Sequence, residues 1–173
     1  MQTVATALDR PDRGTRLGDE LRGRLATIRE RSAQLPARPS IACVEWIDPL
    51  MMAGHCVPEL VDAAGGANLF GTAGQHSGYL EPAQLAATDP DVIAIMPCGF
   101  DIDRARREIP ALTARPEWAG LSAVARGRVF ITDGNRNFNR PGPQMVESAE
   151  ILAELLHPGT FDFGHEGSGW APP

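Results

Sequence analysis

The sequence predicts an α/β fold, with a mostly parallel sheet that is covered by helices on both faces and preceded by a long helix. Two features of the chain predict this fold. Short, wholly apolar runs alternate with amphipathic segments, and apolar runs of this kind are typical of strands buried on both faces. A long amphipathic segment precedes the first of these runs. With 173 residues, the chain has the size of one domain.

The composition excludes several classes of function. The 16 basic and 22 acidic residues give a net charge of −6, which disfavours nucleic acid as a partner. All the basic residues are arginine, so Schiff-base chemistry and a phosphate-binding lysine loop are excluded. The common dinucleotide, metalloprotease and serine-hydrolase motifs are absent too. The three cysteines lack paired metal-site spacing and are expected to be reduced thiols.

The N-terminal part of the chain divides into a lead and a helix. Residues 1–14 are rich in turn-forming residues and are expected to be flexible. Residues 15–36 place apolar side chains on one stripe, which predicts an amphipathic helix that ends at the following proline-rich stretch. The stripe consists of Leu17, Leu21, Leu25, Ile28 and Leu35.

Three strand–loop–helix units follow in residues 37–158. The predicted strands are Ser40–Trp46, Asp91–Met96 and Arg128–Asp133. Helices are predicted after Pro58, around Pro82, across 103–114 with a break near Pro110, across 115–127 and across 144–157. Residues 159–173 are rich in glycine, serine and proline, and this tail is expected to be mobile.

The loops at the carboxyl ends of the three strands form the predicted binding edge. Ligands of open parallel sheets bind beyond the carboxyl ends of the strands. This rule selects the loops Ile47–Cys56, Pro97–Asp101 and Gly134–Pro143, which we call the rim. The rim also contains much of the unusual chemistry of the chain.

Histidine and cysteine on the rim allow a metal site. His55, Cys56 and Cys98 are residue types that ligate zinc. Adjacent residues rarely both face one ion, however, and a small buried cysteine commonly packs as an apolar side chain. The residues leave both interpretations open.

Aromatic and basic rim residues allow a binding surface. Trp46, Phe100 and Phe138 either contact a flat ligand or seal the core. Arg140 lies near the start of the last helix, where it either binds an anion or pairs with a carboxylate of the same edge.

Three segments carry a resemblance to a known family. CVEWIDPLMMAGHCVPELVDAAGG, EPAQLAATDPDVIAIMPCGFD and GRVFITDGNRNFNRPGPQMVESAEILAELLHP together resemble the cobalamin-binding branch of the ABC-transporter periplasmic-binding-protein family, which includes the vitamin B12-binding protein. The resemblance covers about 15–158. It implies two Rossmann-like lobes joined by one long helix, with the ligand between them. The connecting helix and the C-terminal lobe are the parts that match.

The resemblance also implies ligand-binding residues on all three loops. Cys56 departs from the family pattern, in which an aromatic residue is commoner. The importer-docking carboxylate is not evident where Asn137 and Asn139 stand. The implied ligand-binding residues are Trp46, Asp48, Pro49, His55, Cys98, Gly99, Phe100, Asn135, Phe138 and Arg140.

The leading hypothesis is therefore a non-catalytic, substrate-binding component of an ABC importer, or a lone lobe of one. Its ligand would be cobalamin, another corrinoid or a similar metal chelate, and no intrinsic cofactor is expected. Its partners would be a missing N-terminal lobe or a second copy of the chain, and the importer's membrane subunits. The alternatives are a metalloprotein or enzyme that uses His55 and Cys98, and a truncated interaction module.

The expected compartment depends on whether the chain is a fragment. The first residues lack the basic and apolar regions of a signal peptide, which predicts a cytoplasmic protein for the chain as written. A periplasmic or extracellular location is expected if the chain is a fragment of a secreted binding protein.

Overall fold

A computed structural model describes all 173 residues and contains a central sheet flanked by helices. The helices are α1 (Gln2–Ala7), α2 (Pro11–Ser32), α3 (Val57–Ala63), α4 (Pro82–Thr88), α5 (Ile102–Glu108), α6 (Pro110–Thr113), α7 (Ser122–Ala125) and α8 (Met145–Leu156). The strands are β1 (Ser40–Trp46), β2 (Met51–Met52), β3 (Ala67–Asn68), β4 (Gly78–Tyr79), β5 (Val92–Ile95), β6 (Val129–Thr132) and β7 (Trp170–Ala171). The predicted α/β class is confirmed.

The sheet is parallel at its centre and antiparallel at its edges. Strands β1, β5 and β6 pair in parallel, as expected for strands joined by helical crossovers. The other side of β1 pairs with β3 at its start and with β2 at its end. The edge pairs β1–β2, β2–β4 and β6–β7 are antiparallel, and each includes at least one strand of only two residues. The sheet is therefore mixed, although its long strands are parallel as predicted.

Two apolar layers cover the faces of the sheet. Helices α2, α3 and α8 pack on one face, where Ile28, Val61 and Leu152 are fully buried. Helices α4–α7 pack on the other face around Leu112 and Trp118. Because β1 and β5 contact both layers, their side chains are buried without alternation, and this explains their continuous apolar sequence.

The N-terminal segment differs from its prediction. Residues 1–14, expected to be a flexible lead, contain α1 and the first turn of α2. The long helix begins at Pro11 rather than residue 15, because proline suits the first turn, where its missing N–H is not needed. It ends at Ser32 rather than residue 36, and turns follow.

The tail also differs from its prediction of mobility. Phe161 is 3% exposed and belongs to the core layer of α2, α3 and α8. The Trp170–Ala171 strand pairs with β6. The indole N–H of Trp170 donates a hydrogen bond to the Glu154 carboxylate at 2.6 Å. Glycine-rich composition did not predict this packing, because the contacts join residues that lie far apart in sequence.

Candidate functional site

The three predicted loops meet at the carboxyl edge of the sheet and enclose an open cavity of about 410 Å³. The wall combines apolar and polar side chains, as small-molecule sites commonly do. Its lining residues are Glu45, Gly54, His55, Cys56, Val57, Leu60, Cys98, Asn137, Phe138, Asn139, Arg140, Pro141 and Met145. We call this space the rim cavity.

Close backbone contacts hold the loops of the rim cavity together. A Cβ atom on Gly134 would lie 2.3 Å from the carbonyl oxygen of Pro97. A Cβ on Gly54 would lie 2.4 Å from the carbonyl oxygen of Gln75. Both contacts are with backbone, which cannot move aside like the end of a side chain, so glycine is required at both positions.

His55 is exposed at the mouth of the rim cavity. Its backbone adopts a φ of +52°, in the left-handed region that few residues adopt. Its N–H donates to Gln75 at 2.7 Å, and its carbonyl accepts from Gly74 at 2.8 Å. The His76 ring lies 4.8 Å from its ring centre. These contacts fix the position of the backbone that carries the imidazole.

Arg140 provides an exposed positive charge on the same wall. Its guanidinium donates one hydrogen bond, to Oδ1 of Asn135 at 3.0 Å, and forms no ion pair. The buried Phe138 ring packs into the core layer beside it. Arg140 is therefore available to an anionic group. The alternative, an ion pair between Arg140 and a carboxylate of the same edge, is not formed.

The other predicted aromatic residues lie on the opposite side of the rim. The Trp46 and Phe100 rings meet edge to face at 5.4 Å and belong to the core layer of α4–α7. The Arg104 guanidinium lies 3.7 Å from the centre of the Phe100 ring. The sheet edge separates this pair from the rim cavity. Phe100 does not line the rim cavity and instead seals the core layer of α4–α7.

The remaining predicted residues occupy the loops without lining the cavity. Asp48 forms an ion pair with Arg115 at 2.9 Å, and Pro49 is exposed beside it. Gly99 is exposed, and the Asn135 N–H donates to the carbonyl of Phe100 at 3.0 Å. Four of the ten predicted residues thus line the cavity: His55, Cys98, Phe138 and Arg140.

The structure adds polar residues to the cavity wall that are not among the ten predicted ligand-binding residues. Glu45, the residue before the last of β1, lies in the cavity wall, where its carboxylate accepts a hydrogen bond from the Ser77 hydroxyl. Asn137 is 3% exposed, and its Oδ1 has no hydrogen-bond partner. A carboxylate in an apolar strand is a signal that could have identified Glu45. No comparable signal exists for Asn137, because it lies in a π-helical turn (Gly134–Phe138) where a loop was predicted.

The cysteine side chains do not form a metal site. No group of three or more His, Cys, Asp or Glu side chains is arranged to hold a metal ion. Burial raises the pKa of the Cys43 thiol to about 12 and also raises the pKa of Cys56. Because the thiolate is the nucleophile and the ligand, neither thiol is activated. His55 and Cys98 therefore belong to no group of three or more such side chains that is arranged to hold a metal ion.

Comparison with known proteins identifies the family. A family model described as periplasmic binding protein matches residues 1–135, most of the chain. The chain belongs to the periplasmic binding protein family. Members of this family bind solutes and are not enzymes. Among curated protein sequences, none matches the chain significantly.

Solved structures share the fold of this family member. An ABC transporter substrate-binding protein from Listeria monocytogenes EGD-e is 17% identical with a TM-score of 0.77, over 90% of this chain and 61% of that one. A periplasmic heme-binding protein from Pseudomonas aeruginosa is 22% identical with a TM-score of 0.75, over 91% and 58%. An ABC-type Fe³⁺-hydroxamate transport protein from Saccharomonospora viridis DSM 43017 is 20% identical with a TM-score of 0.71, over 90% and 53%.

The present chain spans 53–61% of the length of these structures. None of its helices combines the length and the apolar character needed to cross a bilayer. The periplasmic setting of the family gives no support to the expected cytoplasmic location. The finer assignment to the cobalamin-binding branch remains a prediction.

Proposed function

We propose that this chain provides one lobe of the substrate-binding component of an ABC importer, and that the rim cavity is its part of the ligand site. The observation that carries the proposal is the convergence of all three predicted loops on one cavity at the carboxyl edge of the sheet. In open α/β sheets this is the edge where ligands bind. Family membership supports solute binding rather than catalysis.

The cavity wall favours a metal chelate as the ligand. Phe138, Met145 and Leu60 offer apolar surface to a macrocycle or a chelating scaffold. Arg140 is free to pair with an anionic group at the ligand periphery. His55 places an exposed imidazole where it could reach a metal centre, and neutral imidazole suits cobalt and iron.

The resemblance of the sequence points to a corrinoid within this ligand class. Similar folds occur in a heme-binding protein and in an Fe³⁺-hydroxamate transport protein, which supports metal chelates in general. Heme and ferric hydroxamates are therefore the competing ligands. They share apolar surface, polar substituents and a chelated metal with the corrinoids.

A second lobe would complete the site. The cavity volume of about 410 Å³ accommodates part of a macrocyclic chelate, and the chain is shorter than the structures it resembles. A separate N-terminal lobe or a second copy of this chain would supply the remaining contacts by closing over the ligand. The chain alone is expected to bind weakly.

Titration of the purified chain tests the proposal. Hydroxocobalamin, hemin and a ferric hydroxamate are added separately, with tryptophan fluorescence and the visible bands of each chelate as readouts. Saturable quenching by hydroxocobalamin with a band shift supports a corrinoid site with metal ligation. A response to hemin or the hydroxamate alone would support a chelate-binding site and exclude a corrinoid as its ligand.

Three variants locate the site. Arg140→Ala is expected to weaken binding about tenfold, the effect of losing a charge-assisted hydrogen bond. His55→Ala is expected to remove the band shift while quenching remains. Arg107→Ala removes an exposed arginine that does not line the rim cavity and serves as the control. Equal binding by the Arg140 and Arg107 variants, or no response to any chelate, would overturn the proposal.

A further inference from the structure

A second cavity of about 390 Å³ lies between the tail, α8 and β6. Every lining residue except Phe130 lies outside the segment that the family model matches. The lining residues are Phe130, Glu154, Pro158, Gly159, Phe161, Asp162, Glu166 and Trp170. We call this space the tail cavity.

The wall of the tail cavity is acidic. Its wall contains the carboxylates of Glu154, Asp162 and Glu166 and no basic side chain. Glu154 is 7% exposed and accepts N–H bonds from Phe163 at 2.5 Å and from the Trp170 indole at 2.6 Å. It takes part in no ion pair. The donors to Glu154 are neutral N–H groups, so its hydrogen bonds leave the carboxylate charge in place.

Aromatic rings form the rest of the wall. The Trp170 and Phe130 rings meet edge to face at 5.3 Å, and Phe161 lies on the same wall. Aromatic faces attract cations, and cages of such rings recognise alkylammonium groups. Arg128 and Arg31 already lie 5.7 Å and 4.5 Å from the centres of the Phe130 and Phe161 rings. No cation lies over the Trp170 ring.

The spacing of the carboxylates favours an organic cation over a metal ion. The three carboxylates are not arranged to hold a metal ion. A cavity of this volume instead fits a bulky cation whose alkyl groups contact the rings. We propose that the tail cavity binds a small alkylammonium cation, with Trp170 against its methyl groups and Glu154, Asp162 and Glu166 providing the opposite charge.

Choline and its uncharged isostere 3,3-dimethylbutan-1-ol test the charge requirement. Both are titrated into the full chain at constant ionic strength while the indole N–H signal of Trp170 is followed by NMR. The Trp170 signal is identified from its loss in Trp170→Phe. Choline is expected to shift this signal saturably, and the isostere to leave it unchanged. Equal shifts with both compounds, or none with choline, would overturn the proposal.

Two exposed carboxylates allow variants that leave the packed residues intact. Glu166→Gln and Asp162→Asn are each expected to weaken choline binding about two- to fivefold, the effect of one exposed charge. Glu108→Gln, an exposed carboxylate outside the tail cavity, is the control. Unchanged affinity in both cavity variants would contradict the site. The measurement is independent of chelate binding at the rim cavity.

Discussion

Among the single residues of this fold, Glu150 is a buried carboxylate that depends on specific partners. The Arg24 guanidinium donates two hydrogen bonds to its oxygens, at 3.0 and 2.8 Å. The His165 ring lies 3.0 Å from Oε2. Burial alone would raise the Glu150 pKa, but the bonds from Arg24 and His165 outweigh it and hold the pKa below its usual value. The Arg24–Glu150 ion pair links α2 to α8.

Removal of Arg24 leaves this carboxylate partly unpaired. Arg24→Met is expected to lower the free energy of unfolding by about 2 kcal/mol, less than for a fully buried pair because Arg24 is partly exposed. Arg24→Met combined with Glu150→Met is expected to cost less than the sum of the two single changes. Urea unfolding of the four proteins measures the coupling. Strict additivity would show that the two side chains act independently.

His157 is expected to make stability depend on pH. Burial lowers its pKa from the ordinary 6.5, so the folded chain keeps this imidazole neutral. As the pH falls below 6.5, the unfolded chain takes up a proton that the folded chain does not. The stabilisation is therefore complete above the unfolded value and is lost as the pH decreases toward the folded pKa.

The corresponding variant is His157→Gln, which cannot titrate. Its unfolding free energy is expected to change less between about pH 7.5 and about pH 5.5 than that of the natural chain, by at most about 1.4 kcal/mol per pH unit. Urea unfolding at both pH values provides the comparison. The same pH slope in both proteins would assign the effect to another group.

Among the elements, the contact between α1 and α2 depends on one glycine. A Cβ on Gly14 would lie 2.5 Å from the Cβ of Ala5, whereas a Cβ on Gly23 would meet nothing within 4 Å. No residue of α1 is buried. The helix therefore lies on the surface against α2, and a Cβ at Gly14 would push the two helices apart.

Gly14→Ala is expected to separate α1 from α2, and Gly23→Ala is the matched control. The first change should remove the hydrogen-exchange protection of the α1 amides, because α1 cannot persist alone at this length. The second should leave α1 protected and raise the free energy of unfolding by about 0.5–1 kcal/mol. Retained protection of α1 in the Gly14 variant would contradict the packing.

For the molecule as a whole, the tail completes both the sheet and one core layer. Strand β7 covers the edge of β6, and Phe161 fills space beside α8. Without the tail, β6 would become an edge strand with unpaired backbone groups, which favours aggregation. The tail is thus part of the folded unit and not an appendage.

Deletion of residues 159–173 is expected to lower the free energy of unfolding by about 3 kcal/mol or more. The loss of the buried Phe161 ring alone accounts for a cost of this size. Urea unfolding measures it, and light scattering reports the aggregation of the exposed edge. Phe163→Ala, which removes a partly exposed ring of the same segment, is the control. An unchanged unfolding curve after deletion would show that the tail does not stabilise the fold.

The candidate site shows how far local sequence determines a binding surface. The rule for parallel sheets located all three loops of the rim, and His55, Cys98, Phe138 and Arg140 do line its cavity. It could not separate them from Trp46 and Phe100, which lie on the other side of the sheet edge. Sequence order places a residue at the edge, but strand pairing and layer packing decide which side of the edge it occupies.

By itself, the sequence determined the α/β class, the three parallel strands and most of the helices, because these depend on apolar periodicity and on glycine and proline within a few residues. Tertiary structure alone decided the antiparallel edge strands, the order of the tail and the walls of both cavities. Strands of two residues have no periodicity to detect, and the bonds from Trp170 and Phe163 to Glu154 join separate segments of the chain. Such contacts form only when the layers pack, so the local sequence pattern does not predict them.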